Sequence, residues 1–117
     1  AVDRTRAALG AEGFGVLTEI DVRDTLKKKL DVDFRPYVIL GACNPAMAHR
    51  ALSEERDLGL LLPCNVVVYA ADEEGKSVVA AVDPEVSLGR VGNEALAPVA
   101  AEVKARLQRV LESVRAG

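Results

Sequence analysis

Apolar positions near the end of the chain repeat with a helical period. Leu96, Val99, Val103, Leu107, Val110 and Val114 are spaced 3, 4, 4, 3 and 4 residues apart, which is one face of a 3.6-residue helix. The stripe predicts a helix that begins at Asn93 or Ala97 and packs on a sheet or on a partner subunit, with Pro98 tolerated if it lies in the first turn. At the other end, Val2, Thr5, Ala8 and Leu9 share a face over Ala1–Glu12. That segment reads as a helix already in progress, because no capping residue stands before it, and Gly13 closes it.

Between these helices the period changes. Phe14–Ile20 alternates, which predicts a strand with Phe14, Val16, Thr18 and Ile20 on one face. Asp21 then caps a short helix whose buried stripe is Val22, Leu26 and Leu30, with Asp24 at its start and Lys27, Lys28 and Lys29 as a solvated last turn. The continuous run Tyr37-Val38-Ile39-Leu40 reads as a strand buried on both faces. Asn44-Pro45 signals a helix start, asparagine satisfying free backbone N–H groups and proline having none to satisfy, and this helix runs to about Glu54. Leu60–Tyr69 and Ser77–Val82, separated by the Asp72-Glu73-Glu74-Gly75 turn, form a hairpin. Asp83-Pro84 opens an irregular stretch through Gly92. The whole reads as one α+β domain over residues 1–117.

Composition narrows the functional classes. Half the residues are hydrophobic, yet Phe14, Phe34, Tyr37 and Tyr69 are the only aromatic ones, so the core is aliphatic. Fifteen Lys and Arg against eighteen Asp and Glu give a net charge of −3 with the signs interspersed. That balance offers no electrostatic footprint for nucleic acid. The longest apolar stretch, around Leu58–Ala71, is broken by Gly59, Pro63 and Asn65 and is too short to span a bilayer. Two cysteines and no export signal place the chain in a reducing cytoplasm.

The two cysteines are also the candidate chemistry, since each is followed by asparagine: Cys43-Asn44 and Cys64-Asn65. Cys43 precedes the Asn44 cap, so its sulfur falls near a helix N-terminus, where the dipole favours a thiolate. Cys64 follows Pro63 at a strand start. The two approach each other only if Tyr37–Gly41 and Leu60–Tyr69 are antiparallel neighbours; otherwise they are separate core thiols. Asn44 is explained as a cap, whereas Asn65 sits in a strand and needs hydrogen-bond partners if buried, or a ligand. His49 falls too far along the helix for a Cys–His pair. No metal site or cofactor is predicted, because two cysteines and one histidine fall short of a zinc ligand set. Gly10, Gly13 and Gly15 surround a helix end and form no phosphate loop.

The blocks Gly13-Phe14-Gly15-Val16-Leu17-Thr18-Glu19-Ile20-Asp21-Val22, Leu40-Gly41-Ala42-Cys43-Asn44-Pro45 and Leu60-Leu61-Leu62-Pro63-Cys64-Asn65-Val66-Val67-Val68-Tyr69, followed by Val82-Asp83-Pro84, resemble in order the family known as domain of unknown function 302. The resemblance implies a fold like one half of the TATA-box-binding protein. That means a curved antiparallel sheet flanked by helices, with a first strand ahead of Ala1 that this chain lacks, and commonly a homodimer. It implies no activity.

Three readings follow. The first is a homodimeric small-molecule-binding protein with Cys43, Asn44, Cys64 and Asn65 as the polar groups of an apolar pocket. The second is a thiol-dependent redox or sulfur-transfer protein with Cys43 as attacking thiolate and Cys64 as resolving or acceptor thiol. The third is a structural or regulatory interaction module with the last helix at the dimer contact. Whether the protein is an enzyme stays open at this stage.

Overall fold

A computed structural model describes residues 1–116. Among the described residues, five helices and four strands follow in the order α1 (Val2–Ala11), β1 (Gly15–Asp21), α2 (Val22–Leu30), β2 (Tyr37–Cys43), α3 (Pro45–Glu54), β3 (Cys64–Ala70), β4 (Ser77–Ala81), α4 (Pro84–Gly89) and α5 (Ala97–Ala116). Two 3-10 turns, Arg56–Leu61 and Glu94–Leu96, lead into β3 and α5. The strands form an antiparallel sheet in the order β1-β2-β3-β4, as an α+β fold of short connections favours.

Start signals in the sequence are realised as hydrogen bonds. Asp21 accepts from the Asp24 N–H at 2.9 Å, and Asn44 accepts from the Met47 N–H at 3.2 Å with Pro45 in the first turn of α3. Gly13 takes φ +84°, a conformation that costs glycine little. α5 is preceded by Asn93, whose side chain accepts from the Ala95 N–H at 3.0 Å, so the helical region begins at one candidate residue and the α-helix proper at the other.

One sheet face carries the core. Leu40 and Ala42 of β2 and Val66 and Val68 of β3 are buried against Leu9 and Phe14, Ala51 of α3, Leu88 of α4 and the α5 stripe. Leu96, Val99, Val103, Leu107 and Val110 are buried and Val114 packs against them. The stripe is therefore spent inside its own chain, and α5 does not present it as the dimer contact of the third reading.

The other face has no helix layer of comparable depth. Tyr37 and Ile39 of β2 and Val67 and Tyr69 of β3 are half-buried there, so β2 is not covered equally on its two sides. The chain measures 43 × 35 × 20 Å with a radius of gyration of 15.2 Å, against about 13 Å for a spherical chain of this length. It is a slab roughly one sheet and one helix layer deep.

Four expectations need correction. The β1 register shifts between Val16 and Thr18, so Leu17 is an extra residue in a bulge, and a bulge reverses the alternation beyond it. Thr18 and Ile20 consequently face away from the core, and Glu19 turns inward to pair with Arg6 of α1. β3 starts at Cys64, four residues later than the apolar run suggests, because Leu60 and Leu61 belong to a 3-10 turn and Pro63 has no N–H for a ladder. Pro84–Gly89 is helical, capped by Asp83, which accepts from the Glu85 N–H at 3.0 Å. The predicted stripe of α2 is not buried: Val22 and Leu26 are half-covered and Leu30 is 66% exposed.

Candidate functional site

The antiparallel register of β2 and β3 brings the two Cys-Asn steps to the same end of the sheet. Ala42 is opposite Cys64, Gly41 is opposite Asn65, and Gly15 of β1 is opposite Cys43. The cysteines are therefore diagonal neighbours on adjacent strands. Both are free thiols and both are half-buried.

Local structure fixes each group. Cys43 ends β2, and Asn44 turns the chain into α3 with its side-chain oxygen accepting from the Met47 N–H, so Cys43 stands beside the N-terminus of a three-turn helix. That helix end carries partial positive charge. A cis Leu62–Pro63 peptide precedes Cys64, whose neighbours Ala42 and Val66 are core residues. Burial pushes the Cys64 thiol above its ordinary pKa, and the charge of Cys43 pushes it further in the same direction.

A cavity of about 30 Å³ lies at this junction. Cys43, Asn44 and Cys64 line it together with Phe14, Met47 and Val103. Such a volume admits one water molecule or one heavy atom, whereas pockets for drug-sized molecules span about 300–1,000 Å³. Asn65 is elsewhere. It is exposed and, by strand alternation, on the opposite face from Cys64, while its backbone carbonyl accepts from the Val82 N–H at 3.1 Å. Three of the four residues singled out from the sequence meet, and the fourth needs no buried partner because it is not buried. His49 is likewise exposed on α3.

The supporting residues Gly13, Thr18 and Gly41 fall within the matched sequence blocks, but no spacing ties them to the thiols. A side chain at Gly41 would stand 2.2 Å from Thr18 Oγ1 and 2.8 Å from Pro63 Cγ, so the backbone of β2 is roofed by β1 and by the turn before β3. A side chain at Gly13 would stand 3.1 Å from both Asn44 Nδ2 and Arg106 Nη1. Arg106 of α5 donates to the Glu12 carbonyl at 2.9 Å, which holds the α1–β1 turn close to the Asn44 cap. The Gly13 and Gly41 positions hold the signal in the sequence, but only as glycines whose neighbours are unknown until the chain is folded.

Two larger clefts lie away from the thiols. One of about 360 Å³ sits between α4 and the start of α5, lined by Leu88, Asn93 and Leu96; the other, shallow and about 590 Å³, is lined by Leu61, Val82, Val86 and Val91. Several of their polar groups already have partners: Glu85 and Asp83 bind Lys104 at 2.9 and 3.1 Å, and Asn93 is a cap. Volume alone favours these clefts, and chemistry favours the small cavity. Reactive groups converge only on the latter. Among the described residues, no helix is long and apolar enough to cross a membrane, and no three His, Cys, Asp or Glu side chains cluster as a metal site.

No curated protein matches the chain. Its structure is similar to the crystal structure of the uncharacterized conserved protein DUF302 from Bacillus stearothermophilus, with a TM-score of 0.86 and 37% sequence identity over 96% of this chain and 86% of that one. The family described as "Domain of unknown function DUF302" matches residues 1–114, and with that span and a solved relative of the same fold the chain belongs to the DUF302 family.

Proposed function

We propose that the protein works through a small-ligand thiol site at the end of the sheet, with Cys43 as the reacting group and Cys64 and Asn44 as its immediate surroundings. The observation that carries this reading is the meeting of both cysteines at one cavity beside the N-terminus of α3. It joins the pocket and thiol readings of the sequence, with a ligand far smaller than a metabolite. Cys43 is half-exposed and lies where negative charge is favoured. Cys64, held protonated by burial, is suited to stay a thiol while Cys43 reacts. Iodoacetamide treatment of the native, reduced protein at neutral pH, followed by peptide mass mapping, tests the assignment. Cys43 is alkylated ahead of Cys64; equal labelling, or none before unfolding, would refute it.

A second feature supports a homodimer in which the sheet face opposite the helices is the contact. Ile20, which pairs with Ile39 on that face, and Phe34, which lies against Tyr37, are 48% and 43% exposed. Phe34, Tyr37 and Tyr69 lie together, the tyrosine rings stacked at 5.1 Å and Phe34 tilted against Tyr37 at 6.2 Å. Aromatic residues of this kind are enriched in interface cores. A slab face measuring 43 × 35 Å has room for the roughly 800 Å² that each partner of a standard interface buries.

A further inference from the structure

We propose that the ligand of this site is a single sulfane sulfur atom, taken up on Cys43 as a persulfide at the cavity that both cysteines line. The proposal rests on the thiol reading above and adds the identity of the cargo.

Size is the first argument. The cavity of about 30 Å³ has room for one heavy atom beyond a cysteine sulfur, so the body of any larger carrier would lie outside it. Its walls are the second argument. Apart from Cys43, Cys64 and Asn44, the lining side chains are hydrocarbon, Phe14, Ala48, Ala51 and Val103 among them, with Met47 adding one thioether. Added oxygen, as in a sulfenic acid, needs hydrogen-bond partners when buried, and among the lining side chains only Asn44 and the Cys64 thiol carry polar hydrogens to supply them. Sulfur is polarisable, weakly hydrogen-bonding and at ease in such walls. The third argument is charge. The outer sulfur of a persulfide is anionic near neutrality, and it would lie beside the N-terminus of α3 with the protonated Cys64 thiol as a weak donor.

The transfer balances without an added oxidant. The Cys43 thiolate attacks the outer sulfur of a low-molecular-weight persulfide, R–S–SH. A bond forms between Cys43 Sγ and that outer sulfur, and the sulfur–sulfur bond of the donor breaks. The electron pair leaves with R–S⁻, which takes up the proton that Cys43 gave to solvent, so the products are Cys43–S–SH and R–SH. An acceptor thiol reverses the sequence.

Reduced protein is treated with glutathione persulfide, freed of excess reagent, and followed by intact and peptide mass spectrometry during incubation with glutathione. The wild type gains the mass of one sulfur, on Cys43, and Cys43→Ser gains none. Cavity-filling Ala48→Val, or Ala51→Val if the first does not fold, loses its sulfur several-fold faster than the wild type. Sulfur distributed over both cysteines, or retained equally by the filled variants, overturns the sulfane assignment even where iodoacetamide still selects Cys43. Failure of Cys43 to react with either reagent overturns the thiol reading together with it.

Discussion

Gly41 shows how much a single side chain can decide here. Its place on β2 is opposite Asn65 and beneath Thr18 and Pro63, with contacts of 2.2 and 2.8 Å awaiting any Cβ. Neither neighbour yields easily, since Thr18 is β-branched and Pro63 is a ring. Gly41→Ala should therefore cost about 1–3 kcal/mol, the usual penalty for overpacking, read from urea unfolding. Adding Thr18→Ala removes the closer contact and should restore part of the loss, a coupling that a double-mutant cycle would show. Cys64 gives a second residue-scale expectation. Its folded pKa is raised, so the native state binds the proton more tightly than the unfolded chain. Its contribution is then complete below the ordinary thiol range and lost as pH rises from there through the raised folded value. Between about pH 7 and pH 10, the wild type should lose more stability than Cys64→Ala, measured as the difference in urea midpoints.

At the scale of elements, local rules were legible wherever one signal acted alone. The caps Asp21 and Asn44, the Gly13 stop, the β3–β4 hairpin and the α5 stripe could all be read because each depends on a few adjacent residues. The α4 helix carries the same asparagine-or-aspartate-then-proline signal as α3. Its sequence reads as irregular because Pro84–Gly89 is too short to show a periodic stripe. The Leu17 bulge could not be read, since nothing in an alternating strand marks the residue that will be skipped. Of the candidate site, Cys43 and its helix end were legible, whereas Cys64 joined it only through register. An element-scale prediction concerns the tie between α4 and α5. Lys104 binds Asp83 and Glu85, and its hydrogen bond holds the Asp83 carboxyl below the usual range. A depressed carboxylate pKa adds stability that is present above its unfolded value and lost as pH falls through the folded one. Asp83→Asn keeps a good cap and removes the charge, so the variant should be less stable than wild type at neutral pH and equal to it in acid. A gap that persists in acid would assign the effect to capping instead.

For the whole molecule, the same sheet serves two purposes. Its inner face builds the aliphatic core with α1, α3, α4 and α5, and its outer face holds three of the four aromatic residues close together or half-exposed. A homodimer through that face predicts sedimentation as a dimer at micromolar concentration, and dissociation in Ile20→Asp or Tyr37→Asp with the monomer still folded. A wild type that stays monomeric on concentration would exclude the contact. The central claim, however, is that Cys43 and Cys64 form one site, and a thiol titration tests it most directly. Alkylation rates of Cys64 are followed against pH in the wild type and in Cys43→Ser. Because Cys64 is raised by burial and by the charge of Cys43, removing that charge should move its midpoint down, though not to the value of an exposed thiol. An unchanged midpoint would mean that the two sulfurs do not sense each other, and that the two Cys-Asn steps are neighbours in the fold without being one site.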